Sequence, residues 1–382
     1  MKKLFYIVLS LTLCVAACTN AGNSNISTNK KGTIKVGVFD KNGDSPDCIA
    51  DAMEALRIDK GIDARIISAA DIMGGDADDI DVFLFPGGGG RSETSSLGLL
   101  GQQKIISLVK QGKGVVGICA GAYILTQTPD YPSLGLSGCS AIDIEHDHRG
   151  HGLAKFGLTE EGKKIFPELA KQDTLYCQYY EGPVLVPAKN ANYKFTSLAT
   201  MHSDVHTIEG TPANMTNNRP FLVVSDVEKG RSASIIAHPE ATQGMRWMIP
   251  RLVRYVAKKD LVSYGNNVVR PDIYKAESLF TTELSKKQGE AMDNLTGQTT
   301  EGKLKAMQDI VDMRSWGAKK VMGQMVRDTS AQVRLLAAKL VVELERTDNI
   351  PDLKAAVKNE KDPEVKKQLQ SQLDLLEKMI QQ

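Results

Sequence analysis

Between residues 33 and 123 the apolar positions come in short, nearly continuous runs separated by amphipathic stretches. "TIKVGVF" (33–39) alternates β-branched residues and predicts a strand; Pro46 and the periodic stretch 49–58 predict a helix after it. A second strand is expected at 64–68, behind a glycine turn. "DVFLFPGGGG" (81–90) predicts a buried strand that ends in a proline and four glycines. Helical spacing returns over 97–109, and Gly114 leads into a short strand at 115–118. Apolar strands alternating with helices predict an α/β fold with a doubly wound parallel sheet. In such a sheet functional groups sit in loops beyond the carboxyl ends of the strands, which is where both the glycine cluster and Cys119 fall.

From about residue 175 the runs shorten, to 175–186, 195–201, 221–227 and 233–240, with Gly, Asn and Pro turns between them. They are expected to belong to the same α/β domain, residues 33–262, which an amphipathic helix over 243–260, kinked at Pro250, would close. Beyond residue 275 the chain turns to Lys, Glu, Gln and Leu in helical periods. "RDTSAQVRLLAAKLVVEL" (327–344) and "KDPEVKKQLQSQLDLL" (361–376) are self-similar, with Asp328 and Asp362 at matching starts and Val333 and Val365 standing 32 residues apart; a weaker copy lies at 301–313. The pattern resembles HEAT-type helical hairpin repeats and implies an all-α C-terminal domain, residues 275–382, able to offer a protein partner a surface. An irregular bundle or a stalk is the competing reading.

With 47 basic against 46 acidic side chains, 42% hydrophobic and 24% charged residues, the composition is that of a globular chain and gives no sign of nucleic-acid binding. The N-terminus adds more. Lys2 and Lys3 precede an apolar run at 4–13 that is too short to span a bilayer, and "VAAC" (15–18) follows. This resembles the lipobox of bacterial lipoproteins, which implies a signal peptide over 1–18, lipidation of Cys18 and anchorage to a membrane of the cell envelope, outside the cytoplasm. Residues 19–32 read as a flexible tether. Of six cysteines, Cys48, Cys119, Cys139 and Cys177 remain for the folded part, and their spacing suits buried or functional single thiols better than a disulfide framework, with one pairing left open.

The chemistry concentrates at "VVGICAGAY" (115–123). Gly117 and Gly121 flank Cys119 as in a strand-to-helix nucleophile elbow, and a helix N-terminus there favours a thiolate. The N–H of Ala120 and the glycine loop with Gly88 and Gly89 can supply oxyanion donors. Among six histidines, His238 stands in the tight context "AHPE" at a strand end, with Glu240 two residues on to orient it. Cys119, His238 and Glu240 are thus the expected nucleophile, base and orienter.

"FPGGGG", "GICAGAY" and "HPE", in this order, resemble the class I glutamine amidotransferase-like superfamily. "GICAGAY" with the downstream "YYEGP" (179–183) is similar, more narrowly, to the N-terminal-type domain of biotin–protein ligases. The resemblance implies a flavodoxin-like sheet, places Tyr123 and Tyr180 in the pocket, and implies no metal or organic cofactor. It also departs from the family. Ala120 and Tyr123 stand where glutaminases carry a larger residue and a glutamine, so glutamine as substrate is not expected. Neither is biotin ligase activity, because the features of its catalytic domain are missing.

Three readings of the site follow: covalent acyl transfer or hydrolysis on an amide-type bond of a small-molecule or peptide substrate, ligand binding without turnover, or a packing cysteine. The ordered His-x-Glu favours the first two. The histidines of "EHDHRGHG" (145–152) read as a solvated loop rather than a metal site, with Arg149 and Gly150 as possible pocket lining; His202 and His206 lack a metalloprotease glutamate.

Overall fold

The computed structural model describes residues 32–41, 43–297 and 299–380. The expected signal peptide, Cys18 and the tether up to residue 31 lie outside the described residues. The first half alternates strands and helices: β1 (Ile34–Phe39), α1 (Pro46–Leu56), β2 (Ile62–Ile67), α2 (Ala69–Gly74), β3 (Val82–Phe85), α3 (Gly90–Lys110), β4 (Gly114–Ile118) and α4 (Ala120–Leu125). Next come β5 (Cys139–Ala141), β6 (His151–Leu158), α5 (Glu160–Ile165), β7 (Leu175–Tyr180), β8 (Leu185–Pro187), β9 (Phe195–Met201), β10 (Pro220–Val227), β11 (Gly230–Ile235), α6 (Met248–Val256) and β12 (Ser278–Leu279). The helical region follows as α7 (Thr282–Leu295), α8 (Thr300–Asp312), α9 (Ala318–Met325), α10 (Ala331–Glu343), α11 (Ile350–Asn359) and α12 (Pro363–Glu377).

The expected parallel sheet is only half of the one observed. Strands β2, β1, β3, β4 and β11 run parallel in that order. From β11 outward β10, β9, β6, β7 and β12 pair antiparallel, so the sheet is mixed. The reason is in the connections: β10 turns into β11 through Glu228 and Lys229 alone, Glu228 adopting φ 52°, and so short a loop permits only an antiparallel hairpin.

Both faces of the parallel half are covered. Along β3, Val82 and Leu84 pack with Ala52 of α1 and Leu252 of α6, while Phe83 and Phe85 pack with Ile105 and Val109 of α3 on the opposite side. The two-residue period of a strand requires this split. Each such fully buried side chain stabilises the fold by about 1.5–3 kcal/mol. Helix α3 starts earlier than expected because the glycine loop itself leads into it, and Gly98 (φ 64°, ψ 167°) breaks its course. Pro250 kinks nothing: α6 begins only at Met248, which puts the proline in the first turn, where a missing N–H costs no helical bond.

The C-terminal helices pair in succession, α7 with α8, α9 with α10 and α11 with α12, and α8, α10 and α12 neighbour one another in turn. Asp362 caps α12 by accepting from the N–H groups of Glu364 and Val365 at 2.9 and 3.1 Å. Asp328 is not the cap of α10, a place held by Ser330; it accepts from Ser330 N–H at 2.8 Å and pairs with Lys303 at 2.6 Å. This region packs onto the α/β part through charge. Arg346 pairs with Asp51 of α1 at 2.6 Å, the Thr347 hydroxyl donates to Glu54, and the Glu345 carboxylate accepts from Gly244 N–H at 3.0 Å and from Arg270. Asp51 and Glu54 are therefore buried on α1, where their charge suggests a solvated face.

Candidate active site

Strands β4 and β11 are parallel neighbours with Ile118 opposite Ile235, so their carboxyl ends open at one edge of the sheet. Cys119 follows the first and His238 stands three residues past the second. At Cys119 the backbone takes φ 50° and ψ −102°, outside the usual regions for a residue with a side chain. Such a conformation costs on the order of 1–3 kcal/mol and persists only where its surroundings impose it. Here they do: Cys119 N–H donates to the Ile235 carbonyl at 2.9 Å. A methyl group on Gly117 would overlap the carbonyl of Gly121, and one on Gly121 would overlap the Phe85 carbonyl. The elbow expected from the two glycines is present as a steric fact.

His238 Nδ1 lies 2.7 Å from Glu240 Oε1, with both side chains buried. Its main-chain N–H is tied to the Gln178 carbonyl at 2.7 Å. With Nδ1 committed to the carboxylate, Nε2 is the nitrogen left for Cys119, which borders the same cavity as His238. Burial alone would lower the His238 pKa, but the neighbouring charges of Cys119 and Glu240 and hydrogen bonds to both outweigh it and push the value up to about 10. The imidazole therefore holds a proton at neutral pH. The Cys119 Sγ also contacts the Tyr180 carbonyl at 3.3 Å. By contrast, burial pushes the Cys139 thiol up to about 12 and raises that of Cys177 further. None of the four cysteines in the described residues forms a disulfide.

These groups border a cavity of about 490 Å³. Gly88, Gly89, Ala120, Tyr123 and Tyr180, all singled out from the sequence, line it with Cys119 and His238; Glu240 stands behind the histidine. Tyr123 is fixed, its hydroxyl donating to Asp143, which Arg149 holds at 2.6 Å. Arg149 does not line the cavity. It is buried behind Tyr123 and Tyr179, its Nε donating to the Tyr179 hydroxyl at 3.0 Å. Among the described residues no three His, Cys, Asp or Glu side chains gather closely enough to hold a metal ion. His148 instead pairs with Glu181 at 2.6 Å, and the His151 ring stacks on Tyr180 with centroids 4.7 Å apart.

Three contributors went unseen in the sequence. Lys41, at the end of β1, is buried under the glycine loop, donates to the Gly87 carbonyl and lies 3.5 Å from buried Glu93. Burial pushes the Glu93 pKa up to about 8, against the lowering effect of Lys41. Trp316, between α8 and α9, lines the cavity from the helical region. A lysine after a strand and a tryptophan in a helix connection carry no local signal of either position.

No family model matches the chain, and no curated protein matches its sequence. Among solved structures, the glutaminase domain of Trypanosoma brucei CTPS with bound acivicin is similar at 14% identity and a TM-score of 0.40, over 61% of this chain and 97% of that one. A thua-like protein from Bacteroides uniformis is similar at 13% identity and a TM-score of 0.44, over 60% of this chain and 94% of that one. The β-galactosidase from Bacillus circulans sp. alkalophilus matches at 14% identity and a TM-score of 0.37, over 64% of this chain and 33% of that one.

Proposed function

We propose that residues 33–262 act as a cysteine-nucleophile hydrolase or acyl transferase on an amide-type bond, on a lipoprotein anchored through Cys18 outside the cytoplasm. The observation that carries this reading is that Cys119, on a strained elbow, and His238, held by buried Glu240, border one cavity. In the reaction the proton of the Cys119 thiol already rests on His238 Nε2, and the sulfur forms a bond to the carbonyl carbon. The carbonyl electron pair moves onto oxygen, toward the N–H groups of Ala120 and the loop of Gly88 and Gly89. When the carbonyl re-forms, the C–N bond breaks and the departing amine takes the proton from His238, leaving a thioester. Water then adds through its oxygen, gives a proton to His238 and displaces the sulfur, which restores the starting pair; an acceptor amine or hydroxyl in place of water makes the step a transfer. Loss of an oxyanion donor should cost about 3–4 kcal/mol in the transition state, and loss of the base about 10²–10⁴ in rate.

The fixed Tyr123, with its hydroxyl turned to Asp143, supports a substrate other than glutamine. The paired helices support a HEAT-like reading of residues 275–382. Among the described residues no helix is long and apolar enough to cross a membrane, so attachment in this reading rests on the lipid. The test is alkylation of the full chain by a thiol-directed electrophile across pH, in wild type, Cys119→Ala and His238→Ala. The expected result is fast labelling at Cys119 that His238→Ala slows. Labelling no faster than at Cys48 or Cys177, and indifferent to His238→Ala, overturns the reading. One observation favours binding without turnover: Cys119 is only 6% exposed and its sulfur is engaged by the Tyr180 carbonyl. That alternative predicts retained ligand affinity in Cys119→Ala and no turnover in wild type.

A further inference from the structure

We propose that the C-terminal helical region completes this pocket, and that Trp316 is a specificity-determining residue selecting substrates with a flat apolar group beside the scissile bond. The inference rests on the reading of Cys119 as the reacting group. The Trp316 indole meets the His238 ring edge-on, with centroids 4.7 Å apart at 78°, and the Tyr180 ring with centroids 6.1 Å apart at 65°. It borders the same cavity as the Cys119 sulfur. The α/β part alone would leave that side of His238 open.

The tryptophan is held in place. On its loop the Met313 carbonyl accepts from Ser278 Oγ, and the Arg314 carbonyl from Gln178 Nε2, each at 3.0 Å. Arg314 takes φ 58° and lays its guanidinium over the Tyr274 ring, 5.1 Å from the centroid. Ser315 Oγ bridges back to Gln288 Oε1 at 2.5 Å. Gln178 is also the residue whose carbonyl holds the His238 main chain, so one residue of β7 sets both the base and the tryptophan. Farther out, the Arg346–Asp51 pair and the Glu345 contacts seat the whole helical region on α1 and on the turn before α6.

Aromatic rings share the wall with the acidic Asp147 and Glu181, and the rings point to the ligand. Tyr123, Tyr131 and Tyr180 border the cavity together with Trp316, and the Arg91 guanidinium is spent over the Tyr131 ring, 5.0 Å from its centroid. Rings around a reacting sulfur favour a planar apolar group, by stacking and by exclusion of water. The volume of about 490 Å³ accepts one ring system and the amide that bears it.

The test compares chloroacetamide with N-(naphthylmethyl)chloroacetamide on the full chain, each rate normalised to its rate with a free small thiol. In both reactions the Cys119 sulfur bonds to the methylene carbon, chloride leaves and the thiol proton passes to the base and solvent. Wild type should favour the naphthyl probe about tenfold and saturate with it. Trp316→Ala should bring the ratio near one, and Trp316→Phe should keep most of the preference. An undiminished preference in Trp316→Ala overturns the proposal even where His238 dependence holds. Slow, His238-independent labelling would instead sink the catalytic reading, while the ratio still judges Trp316. A second measurement needs no variant. The chain has two tryptophans, and Trp247 is buried in the core. Naphthyl attached to Cys119 should quench Trp316 emission, and unchanged emission after complete labelling places the indole away from the ring and overturns the proposal.

Discussion

The two walls of the cavity are built in different ways. The wall of Cys119, Gly88 and Gly89 is set by backbone sterics at the ends of adjacent strands, where no side chain fits at Gly117 or Gly121. The wall of Trp316 is set by docking, through carbonyls tied to Gln178 and Ser278 and an ion pair between Arg346 and Asp51 more distant along the chain than any contact within the elbow. A wall made by sterics tolerates no added atom but needs no distant partner. A wall made by docking tolerates local change and fails when its distant anchors go.

The largest expected effect comes from placing the same substitution in the two regions. Gly121→Ala drives a methyl into the Phe85 carbonyl, which belongs to strand backbone and cannot swing aside. The variant should fail to fold, or should melt far below wild type and lose Cys119 labelling. Gly289→Ala, in α7 with open space around the added methyl, should be neutral or stabilise by up to about 1 kcal/mol, the difference in helix propensity. Thermal melts of both variants decide the matter. A Gly121→Ala protein with an unchanged melting temperature would mean the elbow is looser than its contacts require.

The same contrast explains what was legible in the sequence. Gly117, Cys119 and Gly121 could be read because an elbow is a local device: its residue types and their spacing are its geometry. His238 and Glu240 are two residues apart, so their mutual contact is local as well, and the strand before them fixes the edge they reach. The mixed sheet was not legible in full. Runs of apolar residues announce strands without their direction, and only the short turn at Glu228 and Lys229 betrays it. Asp51 and Glu54 look like solvent-facing acids of an amphipathic helix, because the arginine and threonine that bury them lie almost three hundred residues away. Lys41, Glu93 and Trp316 were missed for that reason. Each matters through a partner that only the folded chain brings near.

The docked wall should break next. Arg346→Ala leaves the Asp51 carboxylate buried, with 2% of its side chain exposed, without its guanidinium partner. Removing one member of a buried pair costs about 3–5 kcal/mol, so chemical denaturation should show a loss of that order. The double variant Asp51→Asn with Arg346→Met removes both charges and should recover a large part of it. If the helical region seats Trp316, the single variant should also weaken the preference for the naphthyl probe at denaturant concentrations where the α/β part is still folded. Additive losses in the double-mutant cycle would mean that the pair is not coupled and that the docking rests elsewhere.

The smallest effect concerns pH and separates the walls once more. The glycine loop rests on Lys41 and Glu93, and burial raises the Glu93 pKa from 4.5 to about 8. A raised carboxyl pKa means that the folded chain keeps a proton which the unfolded chain has released. Folding therefore weakens as pH climbs from about 4.5 to 8, by at most about 1.4 kcal/mol per pH unit for one whole proton, and the loss is complete above that window. His238 has the same sign in a higher window: its pKa is raised from 6.5 to about 10, so its contribution is full below 6.5 and lost as pH rises through about 10. Glu93→Gln keeps an acceptor for Lys41 and removes only the lower slope. Denaturation midpoints of wild type and Glu93→Gln should therefore diverge between about pH 5 and 8 and run parallel above it. The hydrogen bonds from Gln178 and Ser278 to the Trp316 loop join neutral groups, and an indole does not titrate, so Trp316→Phe should leave the Glu93 slope unchanged. Superimposable curves for wild type and Glu93→Gln would mean that Glu93 is ionised in the folded chain and that the loop rests on an ion pair instead of a protonated acid.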